Sequence, residues 1–483
     1  MSTVSDQAQV QTPSTHALVI GGSMAGLLSA RVLANHFDQV TLVERDRFPE
    51  TPEFRPGVPQ SNHVHVLLTR GQQLLEQLFP GLLDELTASG APTLDWTADW
   101  PWLGFWGWEP RFHSGLTGRT CSRTLLEWLV RQRLETFGNI KLLDGCQVKG
   151  VMSTSDRTRI TGIKLTRRHR QREAALAQTE TITADLTVDA SGRNSILPEW
   201  LEVLGYPAVQ ETVVNSFLGY GSRWYQRPDG LDADWQGLLI APKPPQQSRG
   251  GVLYPVEGNC WVVTLSGIGD DHPPIDEDGF LGFARSLRNP VLYDLLKDAK
   301  PLSPVYSYRR TENRLRHYDK LTRFPDGVVA LGDAVCAFNP VHGQGMTVAA
   351  LGAITLEECI RNQLAQTPGE LRGLPLHFQK QLAQIVATPW MMATGEDFRW
   401  KTTEGGKPDW TTRLMHRYID QLAVVSLEKP EVFQTFVEVM HMLKPPTALF
   451  KPNIAAQVMK QAISGHKPHV TTDDEYTIPR ISK

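Results

Sequence analysis

The segment from Ala17 to Glu44 constrains this chain more than any other. Ala17-Leu18-Val19-Ile20 is a short, wholly apolar strand, and Val40-Thr41-Leu42-Val43-Glu44 repeats that buried pattern. Between them, apolar residues recur at helical spacing from Met24 to about His36. The first strand enters the helix through Gly21-Gly22-Ser23-Met24-Ala25-Gly26. Strand, glycine turn, helix and strand within about 30 residues is the context a dinucleotide-binding fingerprint requires. Glycine permits the tight turn and a close backbone approach to a pyrophosphate, and the helix start offers free amides and a positive dipole end. Glu44 ends the second strand with a carboxylate suited to adenosine ribose hydroxyls, and Arg45 follows it. Ser23 stands where the middle glycine belongs.

Two later segments add to this unit. Val328-Val329-Ala330-Leu331-Gly332-Asp333 is a buried strand ending in an acid. A loop containing Pro340 follows, then the glycine-rich helix start Gly343-Gln344-Gly345-Met346. An aspartate at a strand end can take a ribityl or sugar hydroxyl. A glycine-rich helix start can face a flavin carbonyl that becomes anionic on reduction. Earlier, Asp189-Ala190-Ser191-Gly192-Arg193-Asn194-Ser195 sets Asp189 and Gly192 at another strand end.

In this order the three segments resemble the single-component FAD monooxygenases of the para-hydroxybenzoate hydroxylase fold, over roughly residues 16–365. Within that group Arg55-Pro56-Gly57-Val58-Pro59-Gln60, followed by His63, His65, Leu67-Leu68 and Leu78-Phe79-Pro80-Gly81, resembles the bacterial polyether epoxidases, which are related to squalene epoxidase. The resemblance implies that Gly21, Gly22, Gly26 and Glu44 hold the ADP half of FAD and that Asp333 meets the ribityl chain or pyrophosphate. It implies that Arg123 reaches the FAD, and that Gly343, Gln344, Gly345 and Met346 lie against the isoalloxazine. It also implies the reaction. NAD(P)H or a partner reductase reduces the flavin, O2 gives a C4a-hydroperoxide, and one oxygen passes to an apolar, polyene- or isoprenoid/polyketide-like substrate. The chain departs from the family in lacking a compact Asp-Gly dipeptide at Asp189–Gly192 and in carrying Thr347 where many members have Asn.

The expected fold class is α/β, or α+β as a whole: a Rossmann-type FAD-binding domain, an antiparallel-sheet substrate domain and a helical C-terminal region. The FAD domain is expected from 16–205 and 311–365 after a polar leader, 1–15, with a loop-rich insertion of little periodicity at 50–120. The antiparallel layer is expected over 206–310, with a hairpin at Glu257-Gly258-Asn259, and helices over 366–483. Residues 165–180 read as a charged hairpin tip.

Lys and Arg number 49 against 52 acids, a formal charge of −3 over 483 residues, which gives nucleic acid no basic surface. No apolar run approaches the ~20 residues of a membrane span, and the leader lacks signal-peptide features, so a cytoplasmic protein is expected. The five cysteines have no CxxC pair, so they read as buried thiols, with no metal site expected. His63 and His65 would share one face if on a strand, as pocket wall or flavin edge. Trp102, Trp106 and Trp108, in a tract with Trp96 and Trp100, are candidates to line an apolar cavity. Trp106-Gly107-Trp108-Glu109-Pro110 faintly resembles the tryptophan-pair motif of flavin halogenases, one residue short and too early in the chain. The three FAD segments also fit a prenyl-chain reductase of the geranylgeranyl type, and the same fold serves non-catalytic lipid-binding escort proteins.

Overall fold

In a computed structural model, which describes residues 14–167, 179–465 and 477–481, the run His16–Ile20 (β1) becomes the central strand of a parallel sheet. The sheet runs Val328–Ala330, Leu186–Asp189, β1, Gln39–Val43 (β2), Ile140–Leu143, each neighbour parallel to the next. These strands are covered on both faces, which is why they read as apolar runs rather than alternations. Helix Met24–Leu33 (α1) buries Leu27, Leu28, Val32 and Leu33, in one core with Val348, Ala353, Leu356 and Ile360 of the helix Gly345–Gln366. Close packing explains Gly26: a Cβ there would lie 1.7 Å from the Gly21 carbonyl oxygen.

A second, six-stranded sheet is antiparallel through Tyr306–Tyr308, Gly219–Gln226, Cys260–Gly267, Gly250–Val256 and Leu238–Ile240. The expected hairpin closes at Val256 and Cys260, with Gly258 and Asn259 at φ +72° and +54°, where glycine and asparagine are the favoured residues. Beyond residue 366 the chain is helical at Leu374–Asp397, Trp410–Ser426, Pro430–Met440 and Pro452–Ser464. The architecture is the α/β, α+β one expected, with parallel sheet, antiparallel sheet and C-terminal helices.

The segment 50–120 is more regular than its composition suggests. It forms helices Thr69–Leu78 and Leu82–Ala88, which bury Leu74, Leu75, Leu78, Leu82 and Leu86 in the main core. Their leucine spacing is helical but spans so few turns that the surrounding Pro, Gly and Trp mask it. Trp102–Leu103 adds a parallel edge strand to the second sheet. Most of the leader and the tip of the 165–180 hairpin lie outside the described residues; the flanking strands Ile160–Arg167 and Thr179–Thr183 pair antiparallel. Cys121, Cys146, Cys336 and Cys359 are buried free thiols and Cys260 is half-buried. Among the described residues no helix is long and apolar enough to cross a membrane.

Gly26→Ala should lower the urea midpoint by the equivalent of about 3 kcal/mol, the upper end of ordinary overpacking, because the obstacle is backbone. Gly138→Ala, whose Cβ would meet nothing within 4 Å, should leave the midpoint in place.

Candidate functional site

The carboxyl ends of the parallel strands open into a cavity of about 1320 Å³ that continues between the antiparallel sheet and the C-terminal helices. Strand ends are where ligands meet open α/β sheets, because loops and helix N-termini converge there. Gly21, Gly22, Ser23, Met24, Ala25, Glu44, Arg45, Arg123, Gly192 and Asp333 line one part, and Pro340, Gly343, Gln344, Gly345 and Met346 line the next. Sequence positions some 300 residues apart thus share one wall. Gly26, Asp189 and Gly332 stand behind it. Gly26 serves the packing described above, and Gly332 at φ +63° would place a Cβ 2.6 Å from that of Ala25.

Asp189 is consumed internally. Its carboxylate accepts from the amide and hydroxyl of Ser191, the hydroxyl at 2.5 Å, and from the Ser195 hydroxyl, so it shapes the turn instead of facing the cavity. Glu44 is largely consumed as well, accepting from the Gly22 amide at 2.6 Å and the Asp46 amide at 2.9 Å. Arg55 completes this cluster. It donates to Glu127 at 2.8 Å, Asp46 at 3.2 Å and the Gly22 carbonyl at 3.0 Å, with Glu44 at 3.5 Å. Burial works against the Glu127 charge, but Arg123 and Arg55 outweigh it and hold the carboxyl below its ordinary range.

Arg123 opens the helix Arg123–Glu135, whose N-cap Ser122 accepts from the Leu125 amide and is tied to Glu257 of the hairpin turn. Its Nη2 meets Glu127 at 2.7 Å and donates to the Ser23 hydroxyl at 2.9 Å, while Nη1 is buried without a hydrogen-bond partner. Ser23, the departure from the glycine pattern, is therefore held by the arginine that shares its wall.

The second glycine-rich loop is held from a region the sequence motifs did not include. Asp397, ending the helix Leu374–Asp397, accepts from Ser216 (2.9 Å), Asn313 (2.6 Å) and Asn339 (2.8 Å); burial pushes its carboxyl up to about 7. Asn339 caps the turn Pro340–His342, and Gly343 follows at φ +63°. The Gln344 Oε1 and Thr347 Oγ1 atoms are buried without partners at the start of the helix that follows.

His63 and His65 lie on the cavity wall, but on a loop after a short 3-10 turn rather than on a strand, since Pro59 and the Ser222 contact hold the segment irregular. His63 Nδ1 pairs with Ser222 Oγ at 2.7 Å, with its ring edge-on to Tyr220 at 4.6 Å; burial pushes it down to about 3. His65 Nδ1 donates to the His63 carbonyl at 3.0 Å; burial and then Arg123 push it down to about 4, so both rings are neutral at pH 7. Trp102 lines the cavity with Trp96 and Trp100. Trp106 and Trp108 do not. Trp108 belongs to the core behind the antiparallel sheet, and Trp106 lies under the ammonium of Lys243 at 4.8 Å. Glu109 follows the tryptophan pair with no sequence-predicted role of its own, and the C-terminal lining residues Met391, Met392, Met415 and Phe450 belong to no sequence motif. Only Met415 has an available signal, the amphipathic face of Trp410–Ser426. No group of three or more metal-ligating side chains occurs among the described residues.

The fold is that of FAD-binding monooxygenases and halogenases. The structure of the flavin-dependent brominase Bmp2 superposes with a TM-score of 0.64 at 13% identity, over 94% of this chain and 100% of that one. No family model matches the sequence. Protein Rv3254 of Mycobacterium tuberculosis is 35% identical over 392 residues, 80% of each chain, and this chain belongs to its family. Kynurenine 3-monooxygenase of Salinispora arenicola is 25% identical over 71% of this chain and 72% of its own length.

Arg55→Met should cost about 3–5 kcal/mol at pH 7, because it strands buried carboxylates. Glu127 titrates below its ordinary 4.5 in the fold, so its stabilisation is complete above that value and fades as pH falls through the lower folded value. The deficit of the variant should therefore shrink as these carboxyls take up protons. Urea midpoints at pH 7 and at about pH 4 check this; a deficit equal at both would contradict it.

Proposed function

We propose that this chain is an FAD-dependent monooxygenase that transfers one oxygen atom from O2 to an apolar small molecule. The observation that carries the reading is the single cavity. It joins the glycine-bearing strand-end turns to a chamber walled by Trp96, Trp100, Trp102 and the methionines of the C-terminal helices. The residues suit FAD by their own chemistry. Arg123 keeps one buried guanidinium nitrogen unpaired beside the Gly-rich turn, and Gln344 keeps an unpaired oxygen at the second. A Cβ at Gly192 or Gly345, both on the cavity wall, would meet nothing within 4 Å, so the backbone there lies open to a flat or extended ligand.

In this reading the α1 amides and Arg123 take the pyrophosphate, and Asp333 accepts from a ribityl or ribose hydroxyl. The first-turn amides of the helix Gly345–Gln366, which lack intrahelical partners, would offer donors to the flavin ring. Bound there, FAD supplies the two-electron redox chemistry and the reaction with O2. The protein's own part is positioning and water exclusion: His63 and His65 add no charge, and the His65 Nε2 lone pair remains as an acceptor. Met391, Met415 and Phe450 line the cavity yet are 55%, 40% and 40% exposed, so its mouth is apolar and suits an apolar substrate. The Arg55–Gln60 motif with its two histidines supports an alkene as the group attacked and an epoxide as product. Electrons come from NAD(P)H docking transiently or from a partner reductase, since the sequence has one GxGxxG-like turn. Halogenation loses its sequence basis with Trp106 and Trp108 off the cavity wall.

The purified protein should carry a flavin absorbance band. Under isotopically labelled O2 with a reductant, a long-chain alkene should gain one labelled oxygen atom. A saturated product without label would instead assign a prenyl-type reductase. Asp333→Ala should weaken FAD retention by about 1–3 kcal/mol, because ligand hydroxyls lose a buried acceptor. Unchanged flavin affinity on equilibrium dialysis would remove Asp333 from the site.

A further inference from the structure

One polar group in the apolar chamber has no part in that chemistry. Glu109 lines the cavity, yet its residue is only 7% exposed. The tight loop Trp102–Glu109 sets it there: the Glu109 amide donates to the Trp102 carbonyl at 2.8 Å, and the Gly104 amide to the Gly107 carbonyl at 2.9 Å. Gly104 makes the room, since a Cβ there would come within 2.9 Å of Glu109 Oε1. Ser426, on the helix Trp410–Ser426 across the chamber wall, lies beside the carboxyl with its own hydroxyl donated to the Ala423 carbonyl at 3.1 Å, and Glu109 Oε2 is buried without a hydrogen-bond partner.

The cations around this loop are engaged elsewhere. Arg288 donates to the carbonyls of Leu103, Gly104 and Phe105, Lys243 lies over the Trp106 ring, and Arg399 pairs with Glu396 and Asp420. On the same helix as Ser426, His416 is bound to the Gly395 carbonyl. Among the described residues no cation pairs with this carboxyl, and burial in the apolar wall pushes Glu109 up to about 8. At pH 7 the group is therefore mainly a neutral acid with a proton to donate.

We propose that Glu109 is the polar anchor of the chamber, donating a hydrogen bond from its carboxyl to an acceptor oxygen, a carbonyl in the simplest case, on an otherwise apolar substrate. The proposal rests on the chamber being the substrate site, as inferred above, and names a feature of the substrate. A buried donor left unpaired penalises an analogue that lacks the acceptor, so the group selects as well as binds.

The test uses the full-length protein with whatever flavin it retains and follows the fluorescence of the tryptophans lining the chamber. Methyl octyl ketone, decane and decylamine are titrated as probes. At pH 7 the ketone should bind about tenfold more tightly than decane, roughly one good hydrogen bond. That preference should fall away as pH rises through 8, because the ionised carboxylate no longer donates. Glu109→Gln, which keeps an N–H donor that does not titrate, should retain the preference at every pH, and Glu109→Leu should abolish it. Equal affinities for ketone and decane in the unmodified protein overturn the proposal. So does a ketone preference that survives in Glu109→Leu, or a preference for decylamine that Glu109→Gln removes, which would assign an ammonium site. The pH series on the unmodified protein stands even where a variant does not fold. The flavin absorbance of the same samples reports the cofactor reading separately, so either can fail without the other.

Discussion

Arg55 ties together three parts of the chain that are distant in sequence. Its guanidinium donates to the carbonyl of Gly22 in the first turn, to Asp46 just past β2 and to Glu127 on the helix that carries Arg123. Three carboxylates and two guanidiniums are thereby buried together. Such a cluster is not a cheap source of stability, since the desolvation of each charge offsets most of the Coulombic gain. What it provides is placement. Glu127 is gripped from both sides, so Arg123 can point only toward Ser23 and the cavity, and one of its nitrogens is left over for a ligand. The glycine turn fixes where the backbone approaches, and the ion cluster fixes where the positive charge stands.

Asp397 performs the corresponding task at the other end of the cavity. Its hydrogen bonds reach Ser216 and Asn313 beside the antiparallel sheet and Asn339 at the head of the second glycine-rich loop. Asn339 is further fixed through its own amide, which donates to Asn313 Oδ1 at 2.7 Å. The loop that presents Gly343–Met346 is thus set by three separate parts of the chain. Movement of the C-terminal helices relative to the antiparallel sheet would reach that loop through one carboxyl whose own titration lies near neutrality.

The legible part of this molecule is the part governed by local rules. β1, α1 and β2 follow from period, apolarity and glycine placement within a single stretch, and the hairpin at Gly258 from its turn residues. The short helices at Thr69–Leu78 and Leu82–Ala88 are hidden because they span few turns in a stretch dominated by Pro, Gly and Trp. Asp189 resembles a ligand contact in sequence because an acid at a strand end looks the same whether it faces a hydroxyl of a ligand or of Ser195. Proximity in sequence groups Trp106 and Trp108 with Trp102. The bend Leu103–Trp108 sends Trp108 into the core behind the sheet and Trp106 under Lys243, and side-chain direction around a bend is not written in spacing. Arg55 belongs to a recognisable motif, but its three partners come from separate segments, and no single-sequence pattern predicts such a meeting. Asp397 lacks even a motif, and Glu109 follows the tryptophan pair without a role of its own, because what singles both out is burial.

The polarity of the cavity divides along the same line. At the strand ends the wall is rich in charge and in backbone amides, suited to a phosphate-bearing ligand. In the chamber three titratable side chains are driven neutral: His63 and His65 by burial below their ordinary range, Glu109 by burial above it. Burial acts in opposite directions on a base and an acid but toward the same end, the uncharged form. In a wall poor in fixed charge each remaining dipole acts more strongly than it would in solvent. The oxygen transfer proposed above would draw on two properties of such a wall, since exclusion of water protects a reactive oxygen and a wall poor in charge would hold an apolar molecule by shape.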